Sequence, residues 1–365
     1  MTRKGTVVAA MSGGVDSAVA AALLKREGYD VIGITLQIWQ EQADQSRHGG
    51  CCSLGAVEDA RRAANRIGIP HYVLNFKDHF GRQVIDKFVS EYARGRTPNP
   101  CVECNRSVKF DELLKQAANL GADYLATGHY ARIRFNETTG RHELWQAVDK
   151  KKDQTYFLYT MTQAQLSKTL MPVGELSDKE ATRSIARELG LSIADKPDSQ
   201  EICFVPRGGY TAFLRERAPQ TLQQGPIVDT SGAVRGTHEG IANYTVGQRR
   251  RLPASGDGAL YVVALEPATN TVIVGSDKDL YAAVFTAENC NWTAAQAPTQ
   301  PIAISARIRY NAPACSAELR PGDRDTVTVE LSSPQRAITP GQASVFYDGE
   351  CVVGGGTIAG IGSQE

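Results

Sequence analysis

A glycine loop, Met11-Ser12-Gly13-Gly14-Val15-Asp16-Ser17, stands between a strand-like apolar run at 6–10 and an Ala/Leu-rich helical run at 18–27. A strand that enters a helix through glycines opens an α/β unit. It also lets backbone N–H groups approach an anion at the positive end of a helix. The loop lacks the lysine that reaches the β/γ-phosphates in GxxxxGK[ST] loops, because no Lys occurs between Lys4 and Lys25. Kinase-like transfer of a γ-phosphoryl group is therefore disfavoured. A glycine-rich turn with no ligand is the competing reading, and strand, loop and helix in succession weigh against it.

At 365 residues the chain exceeds the size at which one core stops growing, so two or three domains are expected. Through its first third, apolar runs at 31–36, 71–74 and 124–127 alternate with helix-like runs at 54–67, 83–93 and 108–119, the pattern of a doubly wound parallel sheet. Ligands of such sheets bind beyond the carboxyl ends of the strands, where the glycine loop, Thr35-Leu36 and Thr127-Gly128-His129 would meet. A helix-like run at 178–189 precedes Asp195-Lys196-Pro197-Asp198-Ser199-Gln200-Glu201-Ile202-Cys203. After about residue 207 the texture changes to short alternating segments. Those at 261–265 and 271–274 indicate a small β domain, and those at 303–310, 326–331 and 343–347, beyond a break at 277–279, a β-barrel. The expected domains are therefore an α/β domain at 1–207, a central β-rich domain at 208–278 and a C-terminal barrel at 279–365.

The apolar share is 42%, no apolar run approaches the ~18 residues of a membrane span, and the Met-Thr-Arg-Lys start leads into a strand rather than a signal peptide. A cytoplasmic protein with no membrane partner is expected. Forty basic and forty acidic residues balance, so any nucleic-acid surface must be local. Eight cysteines in such a chain point to catalytic, metal-binding or plainly buried thiols rather than a disulfide framework.

Thr97-Pro98-Asn99-Pro100 before Cys101-Val102-Glu103-Cys104 reads as a helix start, with Asn99 as cap and Pro100 at the first helical position. There the dipole, with Arg106 and Lys109 nearby, favours a thiolate. Structural zinc needs two further ligands; the chain has no second CxxC, and adjacent Cys51-Cys52 with His48 chelate one ion poorly. Cys51, Cys52, Cys290, Cys315 and Cys351 are expected as buried, inert thiols. From its neighbours alone, Cys203 suits a reactive thiol and a core thiol equally.

Ser-Gly-Gly-x-Asp-Ser resembles the pyrophosphate loop of the N-type ATP pyrophosphatases, which break ATP between the α- and β-phosphates to adenylate a substrate oxygen. The loop at 11–17, Gly95-Arg96-Thr97-Pro98-Asn99-Pro100, Ala126-Thr127-Gly128-His129-Tyr130, Asp153-Gln154-Thr155-Tyr156, Asp198 to Phe204 and Gly247-Gln248-Arg249-Arg250 occur in the order found in bacterial tRNA-specific 2-thiouridylases, over essentially the full chain. The resemblance implies replacement of the 2-oxygen of a wobble uridine by sulfur, in tRNAs for Lys, Glu and Gln, with sulfur from a cysteine desulfurase relay. By the same resemblance the two later domains help to hold tRNA.

Carried over by motif, the resemblance implies ATP contacts from Ala9, Ala10, Met11, Ser12, Gly13, Gly14, Val15, Asp16, Ser17, Leu36 and Gly128, with Asp16 holding Mg²⁺. Cys203 would carry sulfur as a persulfide. Cys104 would be the nucleophile that releases it by forming a Cys104–Cys203 disulfide, and Asn99, Pro100 and Cys101 would meet the target base. For tRNA it implies His129, Lys150, Lys151, Lys152, Asp153, Gln154, Thr155, Arg249, Arg250, Arg307, Arg309, Tyr310 and Gln342. The lysine and arginine runs alone would read as solvated faces. The chain departs from the family at Cys101, where many members have Asp assigned to proton transfer. Cys101, Cys104 and Cys203 also match the count needed for a [4Fe–4S] cluster, an alternative route to the same product. Another ATP pyrophosphatase, a ligase or synthetase, would share the loop but give no reason for Cys104 and Cys203.

Overall fold

The computed structural model describes residues 4–38, 54–198, 202–205, 209–254, 258–323 and 325–362. Two compact units emerge: Met1–Val84 with Cys101–Phe204 and Glu350–Val352, and Ile85–Pro100 with Val205–Gly349 and Val353–Glu365.

The first unit holds the expected parallel sheet: β1 (Thr6–Ala10), β2 (Asp30–Gln37), β3 (His71–Asn75), β4 (Tyr124–Ala126) and, after a hairpin of β5 (Ala131–Asn136) and β6 (Arg141–Gln146), β7 (Thr169–Leu170). The order is β3-β2-β1-β4-β7 and every pairing in it is parallel. Succession runs outward from β1 in one direction and from β4 in the other, so the crevice of a doubly wound sheet lies at the β1 and β4 ends. Val7 and Val8 are fully buried. The helix Val15–Arg26 is buried almost all round, because its run of alanines lets the helices Leu54–Ile67 and Lys179–Glu188 both pack closely against it. Lys25 Nζ donates to the carbonyls of Ile67 and Gly68 at 2.7 Å each, satisfying the end of the neighbouring helix.

The two sequence signals at 97–104 and 108–119 belong to one helical stretch. Pro100 opens it, since its missing N–H would be unsatisfied there anyway. Regular turns at Pro100–Glu103 widen to i→i+5 pairing over Cys104–Leu113 and tighten again at Leu114–Asn119. The hairpin, which periodicity did not reveal, depends on a distant residue: nearly buried Arg132 is held by Glu350 at 2.6 Å and by the Gln146 carbonyl.

In the second unit the helix Asp86–Ala93 stacks Tyr92 on Tyr210 (ring centroids 4.9 Å apart) and sets Phe88 against Phe213, both from the helix Gly209–Arg217. Beside them β8 (Gly225–Asp229), β9 (Val234–His238), β10 (Tyr261–Glu266) and β11 (Thr271–Gly275) form a sheet ordered β10-β11-β8-β9 around Ile227, Val262, Val272 and Val274. The strands β12 (Tyr281–Trp292), β13 (Ile302–Arg307), β14 (Cys315–Pro321), β15 (Val327–Arg336), β16 (Ala343–Asp348) and β17 (Cys351–Ile361) run in the order β12-β15-β14-β13-β16-β17. Pairing of β12 with β17 closes this six-stranded antiparallel barrel around Phe285, Leu319, Val329, Phe346 and Ile358, leaving no open edge.

Candidate functional site

The glycine loop is pinned on every side. Met11 N donates to the Ile34 carbonyl at 2.8 Å, Thr35 Oγ1 donates to the Met11 carbonyl at 2.7 Å, and Ser17 Oγ donates to the Gly14 carbonyl while accepting from Ser12 N. Gly13, at φ +73°, lies where a Cβ would come 2.2 Å from the Ala56 carbonyl oxygen; a Cβ on Gly128, at the end of β4, would come 2.5 Å from Ser17 N. Only a hydrogen fits at either position, so helix, loop and strand end touch backbone to backbone. Gly14 caps the helix Val15–Arg26 without a side-chain bond, which leaves the first N–H groups of that helix for an anion. Leu36 is half-buried at the end of β2, beside this loop's strand.

The lysine missing from the loop arrives from far along the chain, twice. Lys179 Nζ meets Asp16 Oδ1 and Oδ2 at 2.6 and 2.8 Å, and Lys196 Nζ donates to the Gly13 carbonyl at 3.1 Å and to Asp59 Oδ2 at 2.6 Å. Lys179 also reaches Asp198 Oδ1 at 2.7 Å, and Lys152 reaches Asp198 Oδ2 at 2.8 Å. Burial pushes the Asp198 carboxyl up, but hydrogen bonds from Lys152 and Lys179 outweigh it and the net displacement is downward. Tyr130 donates its hydroxyl to Asp16 Oδ1 at 2.9 Å and also bonds Thr182; burial, then the Asp16 charge, hold it un-ionised. Lys179, Asp59 and Thr182 carried no sequence signal of their role. Tyr130, Lys196 and Asp198 stand in the motif stretches at 126–130 and 195–203, but the partner of Asp198 is 19 residues upstream, at the start of a helix, where an ordinary surface lysine reads the same.

His129 is half-buried beside this network. Its Nδ1 lies 2.8 Å from Thr127 Oγ1, its Nε2 3.5 Å from Lys109 Nζ, and Phe110 packs on the ring. An ammonium only donates, so Nε2 accepts and the proton of the neutral ring points to Thr127. Burial first, then Lys109, pull this imidazole well below its ordinary 6.5.

Cys101 is exposed, Cys104 and Cys203 are half-buried, and all three are thiols. Cys104 is the first residue of the widened turn. Of the two cations expected to favour its thiolate, Arg106 pairs with Glu103 at 2.9 Å and Lys109 faces His129. The short helix Lys77–Phe80 connects the two cysteine segments: His79 Nε2 lies 3.1 Å from the Ser107 carbonyl, and Phe80 packs edge-on against Phe204, centroids 5.7 Å apart. Among the described residues no three His, Cys, Asp or Glu side chains are placed to hold a metal ion. His48, Cys51, Cys52 and 199–201 lie outside the described residues. Cys290 fits the inert expectation, its thiol pushed up to about 12 chiefly by burial. Cys315 does not: it is half-exposed, and bonds from Ser333 and Ser332 overcome burial and lower it.

The residues expected to meet tRNA separate by exposure. Lys150 and Lys151 are exposed, Lys150 pairing with Glu350 at 2.7 Å. Asp153 and Thr155 are buried and bonded to each other, and Gln154 clasps the Tyr130 backbone through its own N–H and its Oε1. These three shape the turn rather than face outward. In the second unit Arg249 and Arg250 are exposed, on a loop that Gly247 and Gln248 fasten to Val262. Arg307 donates to the Ala312 carbonyl, Arg309 to those of Arg336 and Ala337, Gln342 to that of Thr97; Tyr310 is half-buried. No helix among the described residues is long and apolar enough to cross a membrane.

Three family models match in succession: the tRNA methyl transferase HUP domain at residues 5–207, the tRNA methyl transferase PRC-barrel domain at 211–276 and the aminomethyltransferase beta-barrel domain at 282–358. The tRNA-specific 2-thiouridylase MnmA of Heliobacterium modesticaldum is 52% identical over 357 residues, 97% of this chain and 92% of its own length. That of Lachnoclostridium phytofermentans is 51% identical over 96% of this chain and 99% of its own length, and the tRNA-specific 2-thiouridylase MnmA 1 of Thermoanaerobacter sp. 50% over 98% and 99%. With likeness of this degree along the whole chain, the protein belongs to the tRNA-specific 2-thiouridylase family.

Proposed function

We propose that this chain is an ATP-dependent tRNA 2-thiouridylase acting on the wobble uridine of tRNAs for Lys, Glu and Gln. The observation that carries the reading is the pinned glycine loop, supplied with Asp16, Lys179 and Lys196, in the same compact unit as Cys104 and Cys203. A carbonyl oxygen is a poor leaving group, and the loop suits the remedy. The first N–H groups of the helix and the two lysines offset the charge of a leaving pyrophosphate, while the uridine 2-oxygen attacks the α-phosphorus. One carboxylate completed by phosphate oxygens is a common Mg²⁺ arrangement, so Asp16 fits that ion, whose contribution would be to neutralise phosphate charge.

The resulting AMP ester is displaced by sulfur. Cys104 thiolate attacks the inner sulfur of a Cys203 persulfide, forming the Cys104–Cys203 disulfide and expelling hydrosulfide. That attacks C2, AMP leaves, and an external dithiol returns two electrons to the pair. A desulfurase relay is the matching sulfur source. The uridine reaches the site by leaving its stack, which costs least in a single-stranded anticodon loop. Asn99, Pro100 and Cys101 are the proposed base contacts. Exposed Lys150 and Lys151 in the first unit, and Arg249 and Arg250 in the second, are the proposed phosphate contacts, with Arg307, Arg309, Tyr310 and Gln342 as further proposed tRNA contacts. The persulfide route needs no iron, and no step is assigned to a cluster.

The test is Cys104→Ser and Cys203→Ser with unmodified tRNA, Mg-ATP and a persulfide donor, followed by nucleoside mass spectrometry. Both variants should bind ATP and form no 2-thiouridine; thiouridine from either at the wild-type rate would remove the cysteine mechanism.

A further inference from the structure

Both oxygens of the carboxylate proposed to hold Mg²⁺ are bonded within the chain. Lys179 Nζ lies 2.6 and 2.8 Å from Asp16 Oδ1 and Oδ2, and the Tyr130 hydroxyl donates to Oδ1 at 2.9 Å. A divalent ion binds a carboxylate through those same oxygens, so it reaches Asp16 only in exchange for Lys179. Among the described residues the ammonium has one other acceptor, Asp198 Oδ1 at 2.7 Å. Its side chain is only 12% exposed, so it changes partners within the cluster rather than swinging into solvent. Lys152 holds the second oxygen of Asp198 at 2.8 Å, which keeps that carboxylate in place as Lys179 shifts. Asp16 is secured separately. With its own proton committed to Asp16, the Tyr130 oxygen accepts from Thr182 at 2.8 Å, and Thr182 stands fully buried one turn beyond Lys179 on the helix Lys179–Glu188. This uncharged link holds loop and helix together whichever acceptor Lys179 takes.

Charge decides when the exchange occurs. Asp16 and Asp198 balance Lys179 and Lys152, so the cluster is neutral. A divalent ion arriving alone would add two positive charges to it and take two bonds from a nearly buried ammonium. Arriving with a triphosphate, the same ion brings phosphate oxygens that accept from Lys179 and offset the added charge. We propose that Lys179 is a positioning residue, a tethered counter-cation that closes Asp16 to free divalent metal and releases it only when nucleotide phosphates enter the loop. Metal and nucleotide then bind as one unit. The inference rests on the proposed reading that the loop takes Mg-ATP.

The probe is Mn²⁺ alone, its binding to the full-length protein without nucleotide followed by the electron paramagnetic resonance signal of the free ion. The wild type should bind Mn²⁺ no more tightly than Asp16→Asn does. Lys179→Met should bind it about tenfold more tightly than the wild type, the worth of one charge-assisted hydrogen bond, and adding Asp16→Asn to that variant should abolish the gain. Lys179→Arg, which restores the cation, should restore the wild-type value. Lys152→Met removes a charge from the same cluster without freeing Asp16, and should gain less than about threefold, the screened effect of a partly exposed charge. Urea midpoints establish that each variant is folded. A wild type that holds Mn²⁺ about tenfold more tightly than Asp16→Asn would overturn the proposal without any lysine variant, and so would a folded Lys179→Met with no gain. Calorimetry of the wild type with Mg²⁺ and α,β-methylene-ATP separates the two readings. If the analogue binds while the Mn²⁺ results go against Lys179, the guarding role is lost and the ATP reading stands; if the analogue does not bind, both fall.

Discussion

Replacing Gly128 with Ala tests whether the end of β4 is part of the nucleotide site. The added methyl would lie 2.5 Å from Ser17 N and 2.6 Å from Asp16 C, against 3.4 Å for ordinary contact, so strand end or loop must retreat by about 0.9 Å. Both neighbours are backbone, and neither can swing aside as a side chain could. Overpacking of this kind costs about 1–3 kcal/mol of stability. A misplacement near 1 Å costs on the order of 100-fold in rate, or about 2.7 kcal/mol of barrier. The expected outcome is a folded protein with weakened ATP-analogue affinity and turnover lowered on the order of 100-fold. Gly121→Ala is the control: at φ +77° and with no atom within 4 Å of the new Cβ, it strains the backbone by about 1–2 kcal/mol and leaves nucleotide handling intact. Calorimetry and AMP release measure both variants beside urea unfolding. Wild-type affinity and turnover in a stably folded Gly128→Ala protein would refute the reasoning.

Because His129 is held neutral below its ordinary value, the unfolded chain takes up a proton that the folded chain refuses once the pH drops under about 6.5. Its stabilisation is complete above that pH and is lost on acidification at up to about 1.4 kcal/mol per unit, so urea unfolding of His129→Phe between pH 7.5 and 5 should show a shallower slope than the wild type; an equal slope contradicts this. His71 and His238 are lowered too, and keep the variant's slope above zero. At pH 8 iodoacetamide should modify Cys315 well before Cys290, as peptide mapping would show; the reverse order would overturn the account of their surroundings. Arg249→Ala with Arg250→Ala should weaken tRNA binding and reduce its salt slope by roughly one per lost phosphate contact, read by filter binding at several ionic strengths. An unchanged slope would remove this loop from the interface.

How much was legible in the sequence differs with the range of the interaction. Four of the five sheet strands and the helix Leu54–Ile67 were readable because periodicity is local, whereas the two-residue β7 is too short to show one, and Pro100 marked a helix start for a reason contained in its own ring. The hairpin of β5 and β6 was not, since its arginines suit a strand only once Glu350 neutralises Arg132. The widened turn at Cys104–Leu113 has no local composition that demands it. At the site, the glycine loop announced itself, but its cations did not. A lysine 163 residues beyond Asp16 becomes a partner only when the helix Lys179–Glu188 packs beside Val15–Arg26. Motif order nominated 150–155 together; Lys150 and Lys151 are exposed, whereas Asp153 and Thr155 are buried and bonded to each other, a difference that only the folded turn creates.

The central claim is that one unit adenylates a tRNA uridine and its cysteines then supply the sulfur. Anaerobic turnover of the purified protein with unmodified tRNA, Mg-ATP and a persulfide donor, with nucleoside mass spectrometry for 2-thiouridine and nucleotide analysis for AMP, tests it most directly. The account predicts 2-thiouridine and AMP in equal amounts from iron-free protein, both dependent on tRNA. AMP without thiouridine, or thiouridine from iron-loaded protein only, would contradict it.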